Sequence, residues 1–192
     1  MVVNTANIIG ILSVAKLGNG PVKRFEDKEI FSKLRYIIVG CQCDWVVVDH
    51  LHMLVNVLTE GDERRGIDML MNRLRSLVEE TGVGMILVSH LRRPAGDRGH
   101  EDGKEITLSH LRGSASIAHL SDGVIGLERN QQDTDEVKAN TTTLRILKNR
   151  YTGDTGIATH LHYNKETGRM KEIDNPYEVD YNAEDNKEEV PF

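Results

Sequence analysis

Val46-Val47-Val48-Asp49-His50 is a run of three β-branched apolar residues that stops on a carboxylate and an imidazole. Ile86-Leu87-Val88-Ser89-His90 repeats the plan and stops on a hydroxyl and an imidazole. Between them, residues 63–81 set Ile67, Leu70, Met71, Leu74, Leu77 and Val78 on one stripe, with Arg64, Arg65, Arg73 and Arg75 outside it and Gly82 as the stop. That spacing predicts a helix. Apolar runs without polar alternation suit strands covered on both faces, and a strand–helix–strand order makes such strands parallel neighbours. The expected fold is therefore α/β, a mostly parallel sheet flanked by helices, with a single crossover helix between residues 45–48 and 85–88.

Outward from this core, Ile30, Phe31, Leu34, Ile37 and Ile38 predict a helix over 28–39 that stops at Gly40. Residues 124–127, 143–147 and 155–163 read as further strands, with a turn at 164–168. Short polar connections make them antiparallel additions at one edge of the sheet. Residues 1–27 contain an apolar stretch but no element we assign. Residues 172–192 carry eight acids against Lys187 and show no periodicity, so they read as a disordered acidic tail. The net charge is −6 and the tail alone contributes −7, so the other 171 residues sum to +1 and form a nearly neutral body.

At 192 residues, 39% hydrophobic and 28% charged, the chain has the composition of one soluble globular domain. No apolar run approaches the roughly 20 residues of a membrane helix. The start lacks the charged and small-residue flanks of a signal peptide. Cys41 and Cys43 have no metal-ligand spacing around them and read as buried or incidental thiols of a reduced, cytoplasmic protein.

Ligands of open α/β sheets lie beyond the carboxyl ends of the strands. Asp49 stands there with the oxygen chemistry that Mg²⁺ on a nucleotide requires, and His90 stands there as a donor to a terminal phosphate. Arg92 and Arg98 lie on a partly basic loop directly after His90, read either as a solvated loop or as a contact to nucleic-acid phosphates. Arg112-Gly113 joins an arginine to a residue that admits close backbone approach, or begins a tight helix start. Lys148 and Arg150 fall on one side near a strand end, as a surface pair or as cations that neutralise a transferring phosphoryl group.

CDWVVVDHLHML, ILVSHLRRP, LRGSASIAHLSDGVIGLERNQQ and LRILKNRYTGDTGIATHLHYNKETG occur in this order over roughly residues 28–170. Together they resemble the helicase half of bacteriophage primase–helicases, which belong with the DnaB-type hexameric replicative helicases and have the mitochondrial Twinkle helicase as a cousin. The resemblance implies a RecA-like core that uses ATP or dTTP with Mg²⁺, unwinds duplex DNA by moving on single-stranded DNA, and works as a ring in the host bacterial cytoplasm. It implies that Asp49 is the Walker-B aspartate and metal ligand, His90 the γ-phosphate sensor and Arg150 the arginine finger completing a neighbouring subunit's site. Lys148 becomes a second phosphate contact, Arg129 another arginine near the nucleotide, and Tyr163 an aromatic against the base. Arg92 and Arg98 fall on one DNA-binding loop, Arg112 and Gly113 on a second. Related phage helicases end in an acidic tail with a final Phe that docks on the replicative DNA polymerase, a role Phe192 would take.

Three features depart from that pattern. The P-loop Gly-x4-Gly-Lys-Ser/Thr occurs nowhere in the sequence, and Leu17-Gly18-Asn19-Gly20-Pro21-Val22-Lys23-Arg24 does not fit it. No convincing match to the family's water-activating glutamate lies in residues 1–30. The DNA loop carries Ala95 and Gly96, less charge than is usual there. The expectation is a polypeptide that by itself neither binds ATP tightly nor hydrolyses it. Its competing role is a non-catalytic module that binds single-stranded DNA and recruits polymerase.

Overall fold

The computed structural model describes residues 9–13, 27–58, 62–92, 99–100, 102–113 and 115–178. The chain divides into two compact units, one of Met1–Arg93 with Thr107–Asp122, the other of Pro94–Ile106 with Gly123–Phe192.

The first unit is built on a parallel sheet of β1 (Ile9–Ser13), β2 (Trp45–Asp49) and β3 (Gly84–Leu87), in that spatial order. Trp45 aligns with Ile9 on one side and with Gly84 on the other. β1 lies in the segment where sequence reading assigned nothing. Its apolar stretch gains strand character from pairing along β2, a partner distant in the chain.

Helix α1 (Asp27–Arg35) runs into a single π-helical turn, Tyr36–Gly40, and together they cover the predicted 28–39 helix. Between β2 and β3 stand two helices, α2 (Leu51–Leu58) and α3 (Glu63–Thr81), which corrects the single crossover helix expected. Leu51, Leu54 and Val55 of α2 are fully buried, and so short an apolar helix gave no separate period to read. α3 has the predicted bounds. Asp62 caps its first turn by accepting the Arg65 N–H at 3.1 Å, and Gly82 ends it in the left-handed region, its N–H on the Val78 carbonyl at 2.8 Å.

Val46 and Val48, Ile30, Leu34 and Ile38, the α2 residues, and Ile67, Leu70, Met71, Leu74 and Leu77 form one core, joined by Ile117 of α4 (Ser116–Leu120). Each such side chain contributes about 1.5–3 kcal/mol on burial, the main stabilisation of this unit. The α3 arginines sit at its margin. The Arg73 guanidinium lies 3.9 Å from the Phe31 ring centre, and Arg75 joins Glu79 and Asp122 at 2.7 and 2.8 Å.

The second unit is an antiparallel meander of β4 (Gly123–Glu128), β5 (Thr141–Asn149), β6 (Gly156–Asn164) and β7 (Arg169–Ile173), with the short helix α5 (Glu136–Ala139) before β5. Among the described residues these strands form a sheet of their own, where sequence reading made them edge additions to the parallel sheet. β4 alternates, with Gly126 and Glu128 inward and Ile125 and Leu127 each 62% exposed, so it is not covered on both faces. The inner side is polar. The Glu128 carboxylate accepts the Ile106 N–H at 2.8 Å and the Arg145 guanidinium at 2.8 and 3.2 Å, and Thr143 pairs with His160 at 3.0 Å. β7 takes in Glu172 and Ile173, so ordered structure passes the expected start of the tail. The rest of the tail from residue 179, Phe192 included, lies outside the described residues.

Candidate functional site

Asp49 ends β2 with its side chain exposed, and the Asp49–His50 peptide bond is cis. β3 ends one residue earlier than expected, at Leu87. Val88 still donates its N–H to the Val48 carbonyl, and its own carbonyl accepts the Leu51 N–H, both at 2.9 Å. These two bonds hold the segments after β2 and β3 side by side. They carry Asp49-His50 and Ser89-His90 to the same carboxyl edge of the sheet, as the paired strand endings predicted.

The histidines gather there. The His50 and His90 rings lie 4.0 Å apart between centres, and the His52 ring stacks on His90 at 5.6 Å with a 19° interplanar angle. His52, on the first turn of α2, is 4% exposed, and its Nε2–H donates to the Arg112 carbonyl at 3.1 Å. Burial pushes its pKa below the usual histidine value, against the opposing effect of that hydrogen bond. Nδ1 of His50 and Nδ1 of His52 are both buried without a hydrogen-bond partner. Sequence reading gave neither residue a role. The available signal was the Asp-His-x-His spacing at a strand end.

The two candidate DNA segments come together. Arg92 donates its N–H to the His110 carbonyl at 2.9 Å, Arg112 donates its own to the His90 carbonyl at 3.2 Å, and Leu91 bridges Leu111 in antiparallel fashion. Main-chain bonds therefore link His90, three residues past the end of β3, to the second loop. Arg92 and Arg112 are exposed, and Arg112 pairs with Glu63 at 3.2 Å. Gly113 has φ +102°, a conformation that side chains rarely adopt. Arg98 and its loop over 93–98 lie outside the described residues.

The remaining candidates belong to the second unit. Lys148 is half-buried on β5, level with Val124 of β4. Arg150 is exposed in the turn that follows, where Asn149 Oδ1 accepts the N–H groups of Tyr151 and Thr152 at 3.1 and 3.3 Å and so fixes the turn. Arg129 donates to the Ala139 carbonyl at 2.7 Å and to Asn140 Oδ1 at 3.1 Å, caps the end of α5, and so has part of its guanidinium engaged. Tyr163, half-buried on β6, faces Met170 of β7 in register and gives its N–H to the Asn140 carbonyl at 2.9 Å.

The family model of the DnaB-like helicase C terminal domain matches residues 9–172, from the first residue of β1 almost to the end of β7. The chain belongs to that family. Over 146 residues this DnaB-like helicase domain is 42% identical to a DNA helicase/primase of Enterobacteria phage T3, a match that covers 76% of the chain and 25% of the phage protein. The domain thus spans about a quarter of the length of that curated relative. Among solved structures it is similar to the KaiC-like protein PH0186 of the archaeon Pyrococcus horikoshii OT3. The TM-score is 0.55 at 16% identity, over 77% of this chain and 56% of the other, a likeness of fold. No helix among the described residues is long and apolar enough to cross a membrane.

Proposed function

We propose that this DnaB-like helicase domain takes part in phage DNA replication as a component of a ring helicase, active in the host bacterial cytoplasm, that unwinds duplex DNA while moving on single-stranded DNA. The observation that carries the reading is that Asp49 ends β2 and His90 follows β3, so both stand at the carboxyl edge of two adjacent parallel strands. An exposed carboxylate there suits the water shell of Mg²⁺ on ATP or dTTP, and Asp49 is the residue that would hold it. Bound Mg²⁺ would draw charge from the terminal phosphates. His90 donates to the γ-phosphate, and its carbonyl, held by the Arg112 N–H, passes a change of position to the DNA loops.

Arg92, Arg98 and Arg112, with Gly113 allowing close approach, contact backbone phosphates of the single strand. Arg150, with Lys148 beside it, neutralises charge in the nucleotide site of the neighbouring subunit of a hexamer-type ring. Arg129 and Tyr163 line the nucleotide. Phe192 and the acidic residues before it engage the replicative polymerase, with charge steering the encounter and the ring filling a pocket. The phosphate cradle is not among these 192 residues. The activity therefore belongs to an assembly that contains a P-loop.

The missing P-loop pattern also favours a second reading, a non-catalytic helicase-like module that binds single-stranded DNA and recruits polymerase. ATP turnover with single-stranded DNA, measured with and without a P-loop-bearing helicase partner, separates the two. Turnover that rises with the chain and vanishes with Asp49→Asn supports the catalytic reading. Turnover indifferent to both the chain and that variant overturns it.

A further inference from the structure

We infer that His50, His52 and His90 form a three-histidine site for a divalent transition metal of the Zn²⁺ class. One ring nitrogen from each lies within 4.8 Å of the other two. A tetrahedral site with metal–nitrogen bonds of about 2.0–2.1 Å holds its ligand atoms roughly 3.4 Å apart. The bound of 4.8 Å is wider than a loaded site, so binding draws the three rings together, and His90 is the exposed member of the three.

The protonation pattern suits a metal. A carbonyl only accepts, so the 3.1 Å contact to the Arg112 oxygen puts the His52 proton on Nε2 and leaves the Nδ1 lone pair bare. That nitrogen is buried with no hydrogen-bond partner, and Nδ1 of His50 shares its condition. A buried nitrogen without a partner is costly unless something satisfies it. A ligating histidine whose other ring nitrogen donates to a main-chain carbonyl is the usual outer arrangement of a metal site. Here the carbonyl is itself well held, because Arg112 is tied to His90 through its N–H and to Glu63 through its side chain.

The ligand set selects the metal. Three imidazole nitrogens suit Zn²⁺, Co²⁺, Ni²⁺ or Cu²⁺, whereas Mg²⁺ takes oxygen and dehydrates reluctantly. Three histidines leave a fourth position for water or another small donor. The metal site stands on this geometry alone. Its regulatory consequence rests on the sensor role proposed for His90: a metal that captures this ring withdraws it from a γ-phosphate, so Zn²⁺ inhibits turnover that Mg²⁺ supports.

The test uses the full chain stripped with a chelator, with Co²⁺ as a coloured probe and Zn²⁺ by equilibrium dialysis. The expected result is one tightly held ion per chain, visible Co²⁺ absorption of tetrahedral type that Zn²⁺ abolishes, and no displacement by excess Mg²⁺. His90→Ala changes an exposed side chain and keeps the fold, and it weakens Zn²⁺ by more than the roughly 10–100-fold that removal of an outer-shell partner costs. His52→Gln weakens it similarly, while His119→Ala on the exposed side of α4 has no effect. The proposal is overturned if the folded chain takes up neither ion, if His90→Ala binds as tightly as the parent, or if Cys41→Ser, not the histidine variants, removes the site. None of these readouts needs nucleotide, so a negative result leaves the helicase reading standing, and failure of that reading leaves the metal site standing.

Discussion

A Cβ placed on Gly113 would lie 2.1 Å from Cδ1 of Ile67, a side chain sealed in the core of the first unit. The loop that carries Arg112 is therefore pressed against α3, and Gly113 combines that close approach with a positive φ. Gly113→Ala is expected to lower stability by about 1–3 kcal/mol through overpacking and backbone strain. Arg112→Ala removes only an exposed ion pair with Glu63 and should cost less than about 1 kcal/mol. Urea unfolding of both variants checks the contrast. Equal midpoints would mean that the loop yields freely.

Single-stranded DNA binding should run through the cationic side chains of Arg92, Arg98 and Arg112. The slope of log affinity against log salt then becomes shallower by about 0.7 for each phosphate that is no longer neutralised, roughly 2 for the triple alanine variant. Fluorescence anisotropy with a labelled oligonucleotide across a salt series reads this directly. An unchanged slope would make these arginines ordinary surface residues.

The 192-residue polypeptide alone should show no ATP turnover above background, because the backbone amides and lysine of a P-loop are not in its sequence. Arg150→Ala chains mixed with an intact helicase should poison its turnover, with a drop at the affected sites on the order of 10³-fold or more. Mixed rings that turn over at the parent rate would remove the finger role from Arg150.

In the second unit, Glu128 is 9% exposed and joins β4 to Arg145 on β5 and to the Ile106 N–H. Its hydrogen bonds to Arg145 also hold that guanidinium's pKa above its ordinary value. Glu128→Ala leaves three N–H groups without their acceptor, one on Ile106 and two on Arg145, and should cost about 2–4 kcal/mol. Glu128→Gln keeps one acceptor oxygen and should cost less. Thermal unfolding of the pair checks the order, and equal destabilisation would show that charge, not hydrogen bonding, holds the contact.

Tyr177 follows β7, with its ring 5.8 Å from that of His160 and the Lys138 ammonium 5.9 Å from its centre. Partial desolvation of a residue that is still 41% exposed, then the negative charges of Asp133 and Glu128, raise its pKa above the ordinary tyrosine value. The neutral phenol is thus favoured in the fold. Its contribution is whole below the unfolded value of 10.0 and declines as pH rises through the folded one. Tyr177→Phe should unfold with less alkaline sensitivity than the parent between neutral pH and about pH 11. Parallel stability–pH curves for the two would refute the assignment.

Residues 46–50, 63–82 and 86–90 declared their own structure. A three-residue β-branched run, a stripe at helical spacing and a glycine stop are local signals, and each element formed there, with β3 stopping one residue short at Leu87. The order of those elements also implied that Asp49 and His90 share one edge of a parallel sheet, because a crossover leaves few alternatives. β1, α2 and β7 carried no comparable signal. An apolar stretch beside several glycines becomes a strand only when β2 offers it a partner, and an eight-residue apolar helix is indistinguishable from a buried strand until its neighbours cover it. β4 read as an antiparallel addition to the edge of the parallel sheet, yet its pairing with β5 placed it in a separate sheet, left Ile125 and Leu127 outside and drew Glu128 onto Arg145. His50 and His52 were plain in the sequence but lay about forty residues from His90. Only the main-chain bonds of Val88 to Val48 and Leu51, and the carbonyl of Arg112 offered to His52, brought the three rings together, because a site made of distant residues exists only where packing fixes their distances.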